Sequence, residues 1–311
     1  MPNAERQTVF LTGATGFIGG HVLRRLARSG QHKILCVSRN STVMSDRACR
    51  EDNVEWVVGD IGQPATYATA LSRADVVIHL AAATGAASAG QLRDVNYGGT
   101  RALIDACKEV ATARMVYVSS IAVTGRDLTH YPYAQTKLAA ENAVQESGLD
   151  FVIVRPTIVL GEGAPNWRML RGISCLPVVP LLGGGSARVQ PVDVRDVARA
   201  LECLVDGLAC GSVVELGGPE VLSFSEFLAR IRAACGRAGF PALSIPIGPA
   251  RLAVAILKRT LGERSPVGPG QLAPFVNDGI AKSNPVFERL RPHMRPLDEV
   301  LRRVAHADRA K

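Results

Sequence analysis

Short runs of apolar residues alternate with helical patterns through the first half of this chain, and no other feature of the sequence constrains the fold as strongly. Strands that are apolar throughout are typical of a parallel sheet covered by helices on both faces. The sequence therefore predicts an α/β chain with a doubly wound parallel sheet, which binds ligands beyond the carboxyl ends of its strands. The predicted strands are 8–13, 33–39, 54–60, 75–82, 114–120 and 151–156, and the predicted helices include 17–29, 94–112 and 133–147.

Three glycines, Gly13, Gly16 and Gly19, follow the first predicted strand and open the first predicted helix. A dinucleotide-binding fingerprint requires this context, in which the glycines allow a turn, close approach of the backbone to a diphosphate, and close packing of helix and strand. The helix N-terminus offers free N–H groups and partial positive charge to the anion. The pattern predicts a Rossmann-type cofactor site, with a plain turn as the alternative. We include in the site the neighbouring residues Thr15, Phe17 and Ile18.

The end of the second predicted strand, VSRN, bears on the choice of cofactor. An acidic residue there would hold a free ribose 2′-hydroxyl, whereas an arginine suits a 2′-phosphate. Ser38 and Arg39 stand there without a carboxylate, so the sequence favours NADP over NAD, with an exposed loop arginine as the alternative. After the third strand, Asp60 could bind the adenine amine or cap the next helix, and we place Ile61 beside it in the site.

The charge balance argues against a nucleic-acid partner. The chain carries 36 Lys and Arg against 28 Asp and Glu, a net charge of +8, but the positive residues are scattered and aromatic residues make up only 5%. A nucleic-acid interface usually groups its charge and interleaves aromatic residues. A basic balance also suits a phosphorylated cofactor or substrate.

Cysteine usage and hydropathy bear on the compartment. The 7 cysteines have no metal-ligand spacing, and we expect no metal. The N-terminal stretch lacks the apolar core of a signal peptide, and no apolar run reaches the ~20 residues of a membrane span. We therefore expect a reduced, cytoplasmic protein.

The stretch YPYAQTK, residues 131–137, contains a candidate acid–base pair. Tyr133 and Lys137 are four residues apart, which puts both side chains on one face of a helix. A free tyrosine, with a pKa of about 10, is a poor acid or base at neutral pH, but a nearby ammonium group lowers that pKa. Ser120, which follows the preceding predicted strand, could hydrogen-bond a substrate oxygen beside the tyrosine, or could bond its own loop backbone.

A set of motifs occurs in one order along the chain: TGATGFIG, GDI, HLAA, VNYGGT, VSS, YAQTK and RPTIVLG. In this order the chain resembles the short-chain dehydrogenase/reductase superfamily, in its extended NAD(P)-dependent epimerase/dehydratase group. The matching motifs cover residues 8 to 161, and weaker matches at 189–201 and 215–228 extend the resemblance. It implies hydride transfer between nicotinamide and a hydroxyl or ketone carbon of a small or sugar-nucleotide-like substrate.

The resemblance also implies roles for individual residues. Ser120, Tyr133 and Lys137 correspond to the catalytic group, with Tyr133 exchanging the proton and Lys137 also binding the nicotinamide ribose. Asn96 matches the asparagine that supports the site through backbone and water. The resemblance places the nicotinamide end of the cofactor among Leu80, Ala81, Ala82, Ala83, Val118, Pro156, Thr157, Ile158 and Val159.

Two departures from the family pattern keep a second function open. Ser120 and Tyr133 are only 13 residues apart, and Thr124 stands where the family usually carries a tyrosine. Together with the segments LPVVPLLGGG and GGPEVLSF, these features resemble the branch of the accessory nucleotide-binding subunit of respiratory complex I. The alternative to an enzyme is therefore a non-catalytic NADP-binding protein with a structural or assembly role.

Beyond residue 160 the pattern becomes rich in Gly and Pro, and we expect substrate contacts there. For Trp167 and Arg168 the alternatives are a side chain filling the lobe interface and a solvated arginine. The predicted substrate residues are Thr84, Ser120, Asn166, Trp167, Arg168, Arg188 and Gln190. The predicted domains are a Rossmann domain over 1–160, to which 189–218 returns, and a smaller, discontinuous C-terminal substrate lobe over 161–188 and 219–311.

The stretch ARLAVAILKRTLG, residues 250–262, is apolar with basic edges. It could lie on a membrane surface, but a lobe helix packed on the core is the favoured interpretation. The resemblance favours a homodimer.

Overall fold

The computed structural model of the chain describes residues 6–40, 51–85, 87–112, 114–205, 207, 210–249, 260 and 277–309. A π-helical stretch, Arg93–Gly99, leads directly into an α-helix that begins at Thr100. The strands are β1 (Gln7–Thr12), β2 (His32–Ser38), β3 (Val54–Val58), β4 (Val76–His79), β5 (Arg114–Val118), β6 (Asp150–Pro156), β7 (Val159–Leu160), β8 (Val179–Leu182), β9 (Arg188–Val189), β10 (Val192–Asp193), β11 (Ser212–Leu216), β12 (Leu222–Ser223) and β13 (Ala242–Ile245). The helices are α1 (Phe17–Ser29), α2 (Ala68–Leu71), α3 (Ala89–Leu92), α4 (Thr100–Glu109), α5 (Pro132–Gln145), α6 (Trp167–Ser174), α7 (Val194–Val205), α8 (Phe224–Ala234), α9 (Pro285–Leu290) and α10 (Leu297–Arg309).

Within the described residues, seven strands form one sheet in the order β3-β2-β1-β4-β5-β6-β11. The registered pairs from β3 through β6 are all parallel. The strand order reverses between β1 and β4, and doubly wound sheets bind their ligands at such a switch point. The predicted doubly wound parallel sheet is confirmed, and β11, from the later part of the chain, forms one edge of the same sheet.

Both faces of this sheet are buried. Phe10, Tyr67 and Tyr117 belong to a core cluster that α4 and α5 complete with apolar side chains. Alternate strand residues such as Leu11 and Ile78 lie outside that cluster and are also fully buried. Because successive strand residues point to opposite faces, both faces of the sheet must be covered. This explains why the strands are apolar throughout.

The two units of the chain are each compact. Among the residues described in the second unit, three short strand pairs form: β7 with β10, β8 with β13, and β9 with β12. Helix α8 packs against both α6 and α10 there. The first unit comprises Met1–Ser120, Gln135–Arg155 and Val194–Val214, and the second comprises Ile121–Ala134, Pro156–Asp193 and Glu215–Lys311.

These bounds differ in detail from the predicted domains, which remain a prediction about what each part binds. The second unit also includes 121–134, 156–160, 189–193 and 215–218, which the sequence analysis assigns to the Rossmann domain. The apolar stretch 250–262 lies outside the described residues except for Thr260. Among the residues that the structure describes, no helix is long and apolar enough to cross a membrane.

Candidate functional site

A cleft of about 520 Å³ lies in the first unit, at the ends of β1, β2, β3 and β4. Loops that follow parallel strands meet at one edge of the sheet, which is where a doubly wound fold binds its ligand. The sequence-predicted residues that line the cleft are Gly13, Thr15, Gly16, Ser38, Arg39, Asp60, Ile61, Leu80, Ala81 and Ala82. Further lining residues that the sequence analysis did not single out are Val37, Asn40, Gly59, Gly62, Gln63, Asp94, Val95 and Gly99.

The glycines of the first turn are required by close backbone contacts. Gly13 has a φ of 74°, and a Cβ added there would lie 2.6 Å from the amide nitrogen of Ala81. A Cβ added at Gly19 would lie 2.0 Å from the carbonyl oxygen of Gly13. A Cβ at Gly16 would approach only the Gly13 carbonyl oxygen, at 3.2 Å, so this position is otherwise open. The turn therefore packs closely against the loop that follows β4 and against α1, and it leaves the backbone at Gly16 accessible.

Helix α1 presents an uncapped N-terminus at this turn. Of the side chains that the structure describes, none accepts a hydrogen bond at the Gly16 N-cap, and the first turn of α1 carries no acidic residue. The first N–H groups of a helix lack intrahelical partners and carry partial positive charge. An anionic group such as a diphosphate is the ligand that this arrangement fits.

The strand ends beside the turn provide polar groups. Ser38 Oγ accepts a hydrogen bond of 3.1 Å from the amide of Asn40, which fixes the turn after β2, and Arg39 is exposed. Asp60 Oδ1 accepts a hydrogen bond of 2.9 Å from the amide of Gly62 and thus stabilises the turn after β3. The rim of the cleft at β2 therefore presents a hydroxyl and a guanidinium group.

A buried chain of hydrogen bonds holds the loop that follows β4. Thr100 Oγ1 donates to the carbonyl of Asn96 at 2.6 Å, so it accepts from His79 Nε2 at 2.9 Å. His79 Nδ1 then accepts from Thr12 Oγ1 at 2.7 Å, and Thr12 Oγ1 accepts at 3.2 Å from the amides of Leu80 and Ala81.

His79, in the middle of this series of hydrogen bonds, is neutral. Burial, with a contribution from the charge of Lys137, lowers the pKa of His79 to about 3. The sequence analysis did not assign Thr12, His79 or Thr100 to the site. The signal was the histidine of HLAA at the end of an apolar strand, where a buried ring needs two polar partners.

Asn96 joins the loop after β4 to helix α5. Its Oδ1 accepts a hydrogen bond of 2.7 Å from the amide of Ala83, and its Nδ2 donates to the Ala83 carbonyl at 3.1 Å and to Thr136 Oγ1 at 3.2 Å. It lies in the π-helical stretch Arg93–Gly99 and is buried. Three hydrogen bonds to a buried amide order both segments.

Lys137 is almost fully buried on α5. Its Nζ donates a hydrogen bond of 2.7 Å to the carbonyl of Val118 and lies 4.3 Å from the centre of the Tyr117 ring. Burial lowers the pKa of Lys137 to about 7, although the carboxylate of Glu141 acts in the opposite direction. Near neutral pH, both the ammonium and the amine forms are therefore populated.

Glu141 lies one turn beyond Lys137 and is itself buried. Its carboxylate accepts hydrogen bonds from Arg155 Nε at 3.0 Å and Arg155 Nη2 at 2.6 Å. This bidentate pairing compensates the desolvation of a buried carboxylate. It also places a fixed negative charge on the helix that carries Lys137.

The remaining predicted catalytic residues lie at the ends of elements. Ser120 follows β5 and is half-buried, and Tyr133 is the second residue of α5 and is half-buried. The ring centroids of Tyr131 and Tyr133 are 6.1 Å apart, and burial raises the pKa of Tyr131. Tyr131 also lacks a lysine four residues on, because Gln135 stands there.

The other predicted cofactor residues lie outside the residues that line the cleft. Phe17, Ile18 and Gly19 form the first turn of α1, and Val118 ends β5. Ala83 is half-buried and bonded to Asn96, and the adjacent Thr84, which is a predicted substrate residue, is exposed. Pro156 ends β6, Thr157 and Ile158 connect it to β7, and Val159 begins β7.

The predicted substrate residues of the second unit do not all line one cleft. Trp167 is buried, Arg168 is exposed, and both line a cleft of about 490 Å³, where Trp167 Nε1 has no hydrogen-bond partner among the described residues. Asn166 occupies the N-cap position of α6.

The other two predicted substrate residues make contacts within the second unit. Arg188 pairs with Asp278 at 2.9 Å. The amide of Gln190 donates to the Gly218 carbonyl at 2.7 Å and accepts from the Ala281 amide at 2.9 Å, so both ends of its amide hold backbone.

Comparisons with known proteins agree with this fold. The model of the NAD dependent epimerase/dehydratase family matches residues 9–217. The chain is 35% identical over 202 residues to a ceramide reductase of Caulobacter vibrioides, covering 65% of this chain and 62% of that protein. It is 29% identical over 237 residues to the mitochondrial NADH dehydrogenase [ubiquinone] 1 alpha subcomplex subunit 9 of Arabidopsis thaliana, covering 70% of this chain and 55% of that protein.

The fold is also similar to that of solved structures. The crystal structure of gox2253 superposes with a TM-score of 0.79 at 24% identity and covers 98% of both chains. The chain spans less than two thirds of the length of both the ceramide reductase and the NADH dehydrogenase subunit.

Proposed function

The chain belongs to the NAD-dependent epimerase/dehydratase family, and from this premise we propose that it is an NADP-dependent oxidoreductase or epimerase in which Tyr133 is the acid–base. Its substrate would carry a secondary hydroxyl or a ketone. The observation that carries the proposal is the cleft beyond β1 to β4, into which the glycine turn and the uncapped N-terminus of α1 open.

The residues of the cleft fit a dinucleotide. The otherwise open position at Gly16 and the free N–H groups of α1 suit a diphosphate. The rim at Ser38 and Arg39 suits an adenosine ribose, and Leu80, Ala81 and Ala82 continue the lining beyond β4. When bound there, a nicotinamide dinucleotide would supply the hydride acceptor or donor.

The proton transfer would be carried out by side chains of α5 and of the segment after β5. Tyr133 would take the proton from the substrate hydroxyl, or give it to the carbonyl oxygen. Lys137, four residues on, would favour the phenolate when it is charged, and its pKa of about 7 lets it change protonation near neutral pH. Ser120 would hold the substrate oxygen by a hydrogen bond.

The choice of Tyr133 over Tyr131 is supported by the surroundings of the two rings. Tyr131 has its pKa raised by burial, and a raised pKa opposes proton transfer at neutral pH. Only Tyr133 is followed by a lysine at helical spacing.

We assign the preference for NADP to Arg39. A guanidinium group can form charge-assisted hydrogen bonds with a 2′-phosphate, whereas a free ribose hydroxyl gains little from it. The family as a whole is described as NAD dependent, so NAD is the competing cofactor.

The substrate proposal starts from the relatives. The name of the Caulobacter protein, a ceramide reductase, makes carbonyl reduction the first reaction to assay. A sugar-nucleotide hydroxyl is the other substrate class that we propose, since Arg168 is exposed beside Trp167 and could bind a phosphate. We expect the reaction to take place in the cytoplasm.

The second candidate function is a non-catalytic NADP-binding protein with an assembly role. The similarity to the NADH dehydrogenase subunit favours it. The two functions are separated by titrating the purified protein with NADPH and NADH, and then testing for turnover. Nicotinamide absorbance is followed with a panel of ketones, and product formation is followed by NMR with a panel of nucleotide sugars, because an epimerase regenerates its cofactor and leaves the absorbance unchanged. Binding with turnover of a panel member supports the enzyme, and binding without any turnover supports the assembly role.

A further inference from the structure

Two cysteines stand at the ends of two helices that pack together in the second unit. Cys175 is the C-cap residue of α6, and Cys235 is the C-cap residue of α8. Helices α6 and α8 make one of the main helix–helix contacts of this unit. The two residues are 60 positions apart in sequence, yet their thiols share a hydrogen bond.

Arginine side chains fix the backbone on both sides of this pair. Arg232 of α8 donates from Nη1 to the carbonyls of Ser174, at 2.9 Å, and of Leu176, at 2.7 Å, which are the neighbours of Cys175. Arg309 Nη2 donates to the carbonyl of Ala234, next to Cys235, at 3.3 Å. The backbone beside each cysteine is therefore held by contacts that do not depend on a covalent bond.

Solvent reaches the pair through a cleft of about 460 Å³. Cys175 and Cys235 are both half-buried there. The charged residues of the cleft are Arg168, Arg171 and Arg237 together with Asp308, which pairs with Arg171 at 2.5 Å. A small oxidant can thus reach the sulfur atoms, which a fully buried thiol such as Cys107 does not allow.

The thiol of Cys235 has a raised pKa. Burial raises the pKa of Cys235, and the neighbouring Cys175 raises it further, although the charges of Arg171 and Arg309 lower it. Cys235 therefore keeps its proton and can donate it to the sulfur of Cys175. Because a thiol with a raised pKa provides little thiolate, Cys235 suits the resolving step better than the first attack on an oxidant.

We propose that Cys175 and Cys235 form a reversible disulfide, with a peroxide as the oxidant. The Cys175 thiolate attacks one peroxide oxygen, the O–O bond breaks, and the sulfenic acid and one water result once the leaving hydroxide takes a proton. The Cys235 sulfur then attacks the sulfenic sulfur, forms the S–S bond and releases a second water. Two thiols and one hydrogen peroxide give one disulfide and two waters, and a dithiol reductant reverses the step.

The cross-link would act on the helix that carries two of the proposed substrate residues. Helix α6 begins with Trp167 and Arg168, which line the cleft of about 490 Å³. A bond at its C-terminal end would tie α6 to α8. A reversible disulfide of this kind is typical of redox sensing in a reducing compartment. The inference does not depend on the proposed cofactor or on turnover.

The test uses the full chain, first reduced and then treated with hydrogen peroxide. Remaining thiols are alkylated, and tryptic peptides are mapped by mass spectrometry without reduction. Cleavage after arginine places Cys175 in the peptide 172–188 and Cys235 in the peptide 233–237, so their disulfide gives one diagnostic joined mass. The expected result is the joined peptide, with two thiols per chain lost to alkylation and both recovered after a dithiol reductant.

Variants serve as controls. Cys175→Ser and Cys235→Ser should each abolish the joined peptide, whereas Cys210→Ser, at an exposed cysteine between α7 and β11, should leave it unchanged. The proposal is overturned if peroxide-treated wild-type protein still alkylates at both Cys175 and Cys235, if each is oxidised separately to a sulfinic acid, or if Cys175 is joined to another cysteine. The wild-type map decides the matter even if a variant fails to fold.

Discussion

The ammonium group of Lys137 donates a hydrogen bond of 2.7 Å to the carbonyl oxygen of Val118, at the carboxyl end of a central strand. This contact holds Lys137 on the buried face of α5, where the loss of hydration opposes its charge. The same burial that positions the lysine therefore lowers its pKa to about 7. A lysine with this pKa can assist proton transfer at neutral pH, whereas an exposed lysine would remain charged.

The first prediction concerns the pH dependence of stability. The pKa of Lys137 is about 7 in the folded state and near 10.5 in the unfolded state, so the unfolded state binds more protons between these values. The free energy of unfolding should therefore rise with pH across this window, by up to about 1 kcal/mol per unit from this residue. The free energy of unfolding can be measured with urea at about pH 7, 8 and 9, which lie within that window. Its slope against pH should have this value in wild type and be smaller in Lys137→Met.

Lys33→Met is the matched control for this experiment, because Lys33 is exposed and pairs with Glu55 at 3.8 Å. It should keep the wild-type slope. Equal slopes in wild type and Lys137→Met would contradict the structure, in which Lys137 is buried away from water.

The second prediction concerns two neighbouring glycines of α1. In Gly19→Ala the new Cβ would lie 2.0 Å from the carbonyl oxygen of Gly13, so the turn must shift. We expect a loss of about 2 kcal/mol or more in the free energy of unfolding, and loss of cofactor binding. In Gly20→Ala the nearest atom lies 3.5 Å away, and the better helix propensity of alanine should raise stability by about 0.5–1 kcal/mol.

Urea unfolding and cofactor titration of both variants check this prediction. A Gly19→Ala protein that binds NADPH as tightly as Gly20→Ala does would show that the turn is not the cofactor site.

The third prediction concerns cofactor choice. Arg39→Ala should weaken NADPH binding by roughly 10-fold, because a charge-assisted contact to the 2′-phosphate contributes about 1.5 kcal/mol. NADH binding should change little, since it lacks that phosphate. Calorimetric titration with both cofactors measures the two affinities.

Arg28→Ala removes an exposed arginine from the last turn of α1 and serves as the control, for which both affinities should stay at the wild-type level. If Arg39→Ala and Arg28→Ala weaken NADPH binding equally, the effect is general electrostatics, and the assignment of Arg39 is wrong.

Much of the fold could be predicted because local patterns agreed with the tertiary structure. Helix α1 has the predicted bounds, since Gly16 opens it and Gly30, with a φ of 64°, ends it. The apolar strands were recognisable because both faces of the sheet are buried. The predicted helix 94–112 instead begins with the π-helical stretch Arg93–Gly99 and ends at Glu109. Gly99 packs there against Ile61, a tertiary contact that local periodicity does not encode.

Parts of the candidate site could be predicted where the backbone conformation requires a particular residue type. Glycines that permit close approach and the residues after strand ends could be read from their spacing. The buried hydrogen bonds that join Thr12, His79 and Thr100 could not be predicted in this way, because the three residues come from distant segments of the sequence. Gln190 shows that a sequence pattern can also suggest a ligand contact where the side chain has a structural partner. It was predicted to bind substrate, but both ends of its amide bond to the backbone of Gly218 and Ala281.

The proposed role of Tyr133 is tested most directly by comparing Tyr133→Phe with Tyr131→Phe, two substitutions that each remove one hydroxyl. NADPH affinity and the rate of nicotinamide oxidation are measured on the same samples with a ketone that wild type reduces. The account predicts that Tyr133→Phe binds NADPH like wild type but loses turnover by roughly 100-fold or more, while Tyr131→Phe keeps both. Turnover of Tyr133→Phe at the wild-type rate would contradict it.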